Sequence, residues 1–317
     1  MNDLVIKQGW RKRLLVSLLA LAAIALVRPS DANSAEYQRI VAFGDSVMDS
    51  GNAFVITGEI AIQPFQPIPG AAYAIGGHHF SNGKTWVEQL GQAIGLQAST
   101  GPSERDPVIF SNYAIGGSRA RDGAAGTSAS QQVARYLTFT GGAAPADNLY
   151  IFGFGGNDVR DALVAQNPAI VGEAVNAIAG NLLSLCTSGA RDIVVVNVAN
   201  LGIIPAVQSL GEPAISGATA LSAGLNGAVQ QAINDVVQVF CPETRFAVLD
   251  LFGLSTAIFS YPQGFGFDST EPCLTFGVTA NAICSEPDTK FFWDGIHPTR
   301  AGHAVVAEQA LQLLEDL

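Results

Sequence analysis

Short β-branched apolar runs alternate with longer helical stretches along most of this 317-residue chain. That alternation restricts the fold more than any other feature. Residues 39–43, 148–154, 193–198 and 246–251 read as strands. Residues 85–94, stretches within 158–185, residues 213–240 and residues 298–314 read as helices, the last with Pro298 in its first turn. Strands separated by helices form a parallel sheet covered on both faces, an α/β fold. Ligands of such sheets sit outside the carboxyl ends of the strands. No linker, charge run or repeat divides the chain, so residues 36–317 are expected to form one domain. Residues 57–81 are rich in Gly, Pro, Gln and aromatics, lack a period, and read as a long surface loop near the first strand end.

The first 35 residues stand apart. Lys7, Arg11, Lys12 and Arg13 precede an uncharged run from 14 to 27, and small residues follow at Ser30, Ala32, Ser34 and Ala35. This is the order of a secretory signal, with an uncleaved anchor as the alternative. Two cleavage positions fit, Ser30-x-Ala32 and Ala32-x-Ser34. No later stretch reads as long and apolar enough for a membrane span, which needs about 20 residues. Residues 36–317 keep 11 cations and 25 anions, a net charge of −14. A nucleic-acid partner is not expected, because displacing counterions from phosphates needs a basic face.

Export permits disulfides. The four cysteines are Cys186, Cys241, Cys273 and Cys284, and none has the C-x-x-C spacing of a zinc or redox site. Cys273 and Cys284 enclose a short loop and are the better pair. Cys186 and Cys241 stand near helix ends and read either as a second pair or as two buried thiols.

Four segments carry possible chemistry. In Phe43-Gly44-Asp45-Ser46-Val47-Met48-Asp49-Ser50-Gly51-Asn52, a serine follows an apolar strand, and Gly44 permits a tight turn that exposes its hydroxyl. A helix cap at Asp45 or Ser46 is the alternative. In Trp293-Asp294-Gly295-Ile296-His297-Pro298, one short turn brings the Asp294 carboxylate to the His297 imidazole, as a base for an activated serine requires. Phe154-Gly155-Gly156-Asn157-Asp158 offers an Asn amide to an oxyanion, or a helix cap at Asn157 or Asp158. Asn112-Tyr113-Ala114-Ile115-Gly116-Gly117-Ser118 offers a glycine N–H, or an ordinary turn. Of the other histidines, His303 reads as a packing residue within the last helix, and His78 and His79 as solvated.

In this order, the four segments resemble the GDSL, or SGNH, hydrolase family of esterases and lipases. The first block is similar at Gly44-Asp45-Ser46, with Val47 in place of the usual Leu. The second-block glycine falls on Gly117, the third block on Gly155 to Asp158, and the last on Asp294 and His297. Phe80-Ser81-Asn82-Gly83-Lys84-Thr85-Trp86 and the Cys273…Cys284 pair resemble the larger plant-type and bacterial secreted members. The resemblance implies a flavodoxin-like three-layer α/β/α sandwich around a parallel sheet. It also implies a secreted ester hydrolase with Ser46 as nucleophile, His297 as base and Asp294 orienting it. The oxyanion donors would be the Ser46 and Gly117 N–H groups and the Asn157 amide, with no metal or organic cofactor.

The implied partner is a small-molecule ester or a lipid. An acidic surface opposes adsorption to anionic bilayers and favours soluble short-chain or aryl esters. Phe65, Tyr73 and Phe80, with residues 259–267, could wall an acyl pocket. Acyl transfer to an alcohol would use the same residues, and a binding protein on a retired hydrolase scaffold would normally have lost one of them.

Overall fold

The computed structural model describes residues 37–58, 78–123, 126–315 and 317. The expected signal and most of the 57–81 loop, with Phe65 and Tyr73, lie outside the described residues. The strands are β1 (Arg39–Gly44), β2 (Asn148–Gly153), β3 (Asp192–Val196) and β4 (Arg245–Leu249). The helices used below are α1 (Asn52–Thr57), α2 (Trp86–Ala93), α3 (Ala129–Phe139), α4 (Gly156–Ala165), α5 (Ala169–Thr187), α6 (Glu212–Ala232), α7 (Leu251–Ser260) and α8 (Arg300–Glu315).

All four strands run parallel in the order β1-β2-β3-β4. Residues 111–115 extend this sheet beyond β1. Ala42 N donates to Ser111 O at 3.0 Å, Tyr113 N to Ala42 O at 2.7 Å and Ile115 N to Gly44 O at 3.1 Å. This edge segment falls between β1 and β2 in sequence. Counting it as the second strand gives the 2-1-3-4-5 order of flavodoxin-like sheets.

Period-two alternation sorts the strand side chains onto two faces. Val41, Phe43, Tyr150, Phe152, Ile193 and Val195 pack with Tyr136 of α3, Leu182 of α5 and Leu225 of α6. Ile40, Ala42, Leu149, Ile151, Val194 and Val196 pack on the opposite face with Trp86 and Leu90 of α2 and Val306 of α8. The result is the expected three-layer sandwich. Each large side chain buried this way contributes about 1.5–3 kcal/mol. Capping boxes start α2, at Thr85 and Glu88, and α3, at Ser128 and Gln131.

Two expectations change and one open question closes. The last helix begins at Arg300. Pro298 instead pairs with Phe292 as an antiparallel bridge that closes the loop between them. Helix α5 has 19 residues with mean hydropathy 1.5, which by length and composition could cross a membrane. Its Ala174, Ile178, Leu182 and Leu185 are buried in the core against the sheet. The open question over Cys186 and Cys241 resolves as a disulfide, and Cys273–Cys284 forms a second.

Candidate active site

Strand β1 ends at Gly44, and Asp45-Ser46 follows at the carboxyl edge of the sheet. Gly44 does not have a left-handed φ, so its need is spatial. A Cβ there would meet Met48 Sδ at 2.8 Å and Gly153 O at 3.0 Å. The turn is set by Asp45, whose Oδ1 accepts Val47 N at 3.1 Å and whose carbonyl accepts Met48 N at 3.1 Å.

Across the edge, His297 Nε2 lies 2.8 Å from Ser46 Oγ. His297 Nδ1 lies 2.8 Å from Asp294 Oδ2. Asp294 Oδ1 accepts the backbone N–H groups of Ile296 and His297, both at 2.7 Å. One carboxylate thus closes the turn and faces the imidazole. Both side chains are buried. The surrounding strap is tied down at several points. Cys273 N donates to Phe292 O at 3.1 Å, Leu274 N to Trp293 O at 2.6 Å, and Trp293 N to His297 O at 2.7 Å. The Cys273–Cys284 loop therefore packs directly on the strap that carries His297.

The turn Ile115–Ser118 follows the edge segment beside β1, where Ile115 N donates to Gly44 O next to Asp45-Ser46. Ser118 N donates to Ile115 O at 3.2 Å, and Gly117 has φ +79° at the third position, as a type II turn requires. Among the described residues, the N–H groups of Ser46 and Gly117 donate to no protein acceptor. Asn157 Nδ2 donates to Ser118 O at 2.8 Å, which leaves its second N–H. The cap of α4 is Gly155, and Asn157 makes no capping bond. Asp158 is not a cap either: it is fully buried, and its carboxylate accepts Ala120 N at 2.8 Å.

Other placements depart from expectation. His79 is buried, with Nε2 2.8 Å from a Glu88 carboxylate oxygen, so it is not solvated. His78 stacks on Phe54 with ring centroids 3.5 Å apart. His303 is a buried packing residue, as read, and burial with the nearby histidines lowers its pKa to about 3. Burial pushes the Asp45 carboxyl up to about 6, against the Val47 N–H bond and the nearby His297, with Asp158 adding to the rise.

Sequence reasoning missed three supporting residues. Gln132, fully buried in α3, accepts Gly44 N at 3.0 Å and donates to Gly44 O at 2.9 Å and Ser118 Oγ at 3.1 Å. It braces both the strand that ends at Gly44 and the turn around Gly117. Asn52 donates to Asn112 O and Ala114 O, both at 2.8 Å, and ties the same segments together. Asp49 bonds both loops as well. Asp49 and Asn52 lie in the first block, where only their polar character within an apolar context could have marked them. Gln132 has no such signal.

A cavity of about 320 Å³ opens beside Ser46. Its wall includes Leu163, Leu201, Ile204, Ala218, Leu254 and Ile258, and its charged lining residues among those described are Asp45 and Arg160. Val164 and Leu210 line it while 79% and 66% exposed, which places them at its mouth. Residues 259–267 do not supply this wall. Phe267 packs instead against a core cluster with Phe291, and Tyr261 is exposed. The apolar wall comes from α4, the segment after β3, α6 and α7, where the sequence showed only ordinary core residues.

A serine at the carboxyl edge of a parallel sheet, within hydrogen-bond reach of an imidazole that faces a carboxylate, has the geometry of a serine hydrolase. Comparison with known proteins agrees at the level of family. The model of the GDSL-like lipase/acylhydrolase family matches residues 40–310. The chain belongs to that family and is by class a carboxylic ester hydrolase. It is 27% identical to a thermolabile hemolysin of Vibrio parahaemolyticus, over 92% of this chain and 66% of that protein. It is 25% identical to a GDSL esterase/lipase of Arabidopsis thaliana, over 84% of each. It is also 25% identical to a phosphatidylcholine-sterol acyltransferase of Aeromonas hydrophila, over 96% of this chain and 97% of that protein. An acetylxylan esterase from Geobacillus stearothermophilus aligns in structure with a TM-score of 0.47 at 15% identity, over 89% of this chain and 96% of that one.

Proposed function

We propose that this protein hydrolyses carboxylic esters through an acyl-enzyme formed on Ser46. The observation that carries this reading is the continuous relay from Ser46 Oγ to His297 to Asp294, each contact 2.8 Å. His297 removes the Ser46 proton as Oγ attacks the ester carbonyl, then returns it to the departing alcohol. Water, activated by the same imidazole, releases the acid. Asp294 holds the imidazole with Nδ1 protonated and stabilises the imidazolium. The tetrahedral oxyanion is held by the Ser46 and Gly117 N–H groups and the free Asn157 N–H.

The substrate in this reading is a soluble ester whose acyl chain or aryl ring enters the apolar cavity. The acidic net charge favours it over an anionic bilayer, and the apolar lining suits an acyl chain or aryl ring. Residues 36–317 act as one catalytic domain, in keeping with strands spread from Arg39 to Leu249 in one sheet. The two disulfides favour export directed by residues 1–35. The similarity to an acyltransferase over nearly its whole length favours a second reading, in which an alcohol replaces water.

The test is a panel of p-nitrophenyl esters of increasing chain length, with Ser46→Ala as control and with or without an alcohol acceptor. Each added methylene that enters the cavity is worth about 0.8 kcal/mol, so kcat/KM should rise about fourfold per carbon until the space is filled. A flat profile would remove the cavity from the reading. Activity retained by Ser46→Ala would remove the mechanism.

A further inference from the structure

Asp49 is a buried carboxylate that the proposed reaction does not use. It is fully buried, and its Oδ1 accepts Gly51 N at 2.7 Å and Asn52 N at 2.6 Å. Its Oδ2 accepts Ala53 N at 3.1 Å and Gly116 N at 2.7 Å. Three of these bonds close the start of α1, beside Asp49 in sequence. The fourth reaches 67 residues along the chain to the turn that contains Gly117. A cap for α1 would not need it.

The bonds around that turn are unevenly distributed. The peptide before Gly116 is held at both ends, by Asp49 on Gly116 N and by Ser118 N on Ile115 O. The peptide after Gly117 is held by Arg119 Nη1, which donates to Gly117 O at 2.7 Å, and by the Ser118 N bond. The peptide between them, with Gly116 O and Gly117 N, bonds to nothing among the described residues. Rotation of this middle peptide separates a type II turn from a type I turn and re-aims the Gly117 N–H. Its orientation therefore depends on its pinned neighbours. On the Ser46 side, the group that pins one of them belongs to the nucleophile's own loop.

We propose that Asp49 is a positioning residue that couples the Ser46 loop to the Ile115–Ser118 turn and so aims the Gly117 N–H at the developing oxyanion. This rests on the assignment of Gly117 as an oxyanion donor. The carboxylate has four acceptor positions, and four N–H groups occupy them. Burial pushes its pKa up while those four donors oppose the shift.

Two variants separate positioning from capping. Asp49→Asn keeps the shape but replaces one acceptor oxygen with a donor. Asp49→Ser keeps one short acceptor for the neighbouring Gly51 and Asn52 N–H groups and is too short to reach Gly116 as well. Measurements are kcat and KM on one ester, melting temperature, and the inhibition constant of an alkyl boronic acid, whose tetrahedral adduct occupies the oxyanion site. Both variants should lose kcat by about tenfold or more with KM little changed, and boronate binding should weaken by a similar factor. Full kcat in folded Asp49→Ser overturns the proposal, because that variant lacks the bond to Gly116. A lower melting temperature with kcat intact well below it also overturns it and leaves Asp49 a structural cap. Asn157→Ala, measured in parallel, tests the oxyanion assignment itself. If it leaves kcat intact while both Asp49 variants lose kcat and boronate affinity, Gly117 positioning stands and Asn157 leaves the oxyanion hole.

Discussion

The two flanks of Ser46 are built in opposite ways. On one side, Asp294 and His297 lie three residues apart, and a single carboxylate closes their turn and faces the imidazole. On the other, the turn around Gly117 is held by Asp49, Gln132 and Asn157, which come from three distant stretches of the chain. In the proposed mechanism the acid–base flank is local and carries its own geometry, and the flank that would hold the oxyanion exists only once the sheet has assembled. Damage to the first should abolish chemistry outright, whereas damage to the second should lower it by graded steps.

The largest expected effect lies on the local flank. Ser46→Ala and His297→Ala should each lower kcat on the order of 10⁴-fold or more, with the protein still folded by circular dichroism. The double variant should be little worse than either single one, because the two act as a unit. Additive losses in steady-state kinetics would break the relay apart.

On the assembled flank, Asn157→Ala should lower kcat by about 10²–10³ with little change in KM. Asn157→Asp should be at least as damaging. It would set a carboxylate against Ser118 O and the developing negative charge. Because Gly155 caps α4, neither change should cost the stability of a lost cap. Wild-type kcat in Asn157→Asp would show that the oxyanion is held elsewhere.

This contrast also explains what could be read before the structure. The alternation of β-branched and helical runs located four strands to within a residue or two, because each run is buried on a face that only apolar side chains suit. Asp294 and His297 were legible because their contact is local. Asn157 reads as an oxyanion-facing amide or a helix cap, and the glycine turn as a ligand-facing N–H or an ordinary turn; the family resemblance, not the spacing, chooses between them and picks Gly117. Gln132 was illegible: a glutamine on a helix looks like a surface residue, and only the packed structure shows it gripping Gly44. Pro298 is ambiguous in the sequence, because proline suits both a first helical turn and a bridge closing a loop. The cavity was hidden for a similar reason, since Ala218 and Ile258 look like any core residue until the space between them is seen.

The disulfides extend the comparison beyond the site. In a chain-entropy account, Cys186–Cys241, 55 residues apart, stabilises by about 4 kcal/mol, and Cys273–Cys284, 11 apart, by about 3 kcal/mol. Their effects on activity should rank the other way. The Cys273 N–H holds the strap bearing His297, whereas Cys186 ends α5 on the sheet's far layer. Paired Cys→Ser variants, compared by melting temperature and kcat, test this. A larger kcat loss from opening Cys186–Cys241 would contradict it.

The smallest effect, per unit of its variable, concerns pH and the helix behind His297. His303 sits fully buried on α8, and burial, with His297 and His79 nearby, lowers its pKa to about 3. In the unfolded chain the group titrates near about 6.5. As pH falls below that value, the unfolded state takes up a proton that the folded state refuses. The stability from this group is therefore complete above about pH 6.5 and declines toward pH 3, by at most about 1.4 kcal/mol per pH unit. Asp45, raised to about 6, works in the opposite sense: the folded state accepts its proton first, which favours folding as pH falls from 6 toward 3.8. The informative measurement is thus a difference. Urea unfolding of wild type and His303→Phe at pH 7, 6, 5 and 4 should show wild type losing stability relative to the variant on acidification, because the variant lacks the proton-refusing group. Parallel curves would show that His303 does not refuse a proton in the folded state.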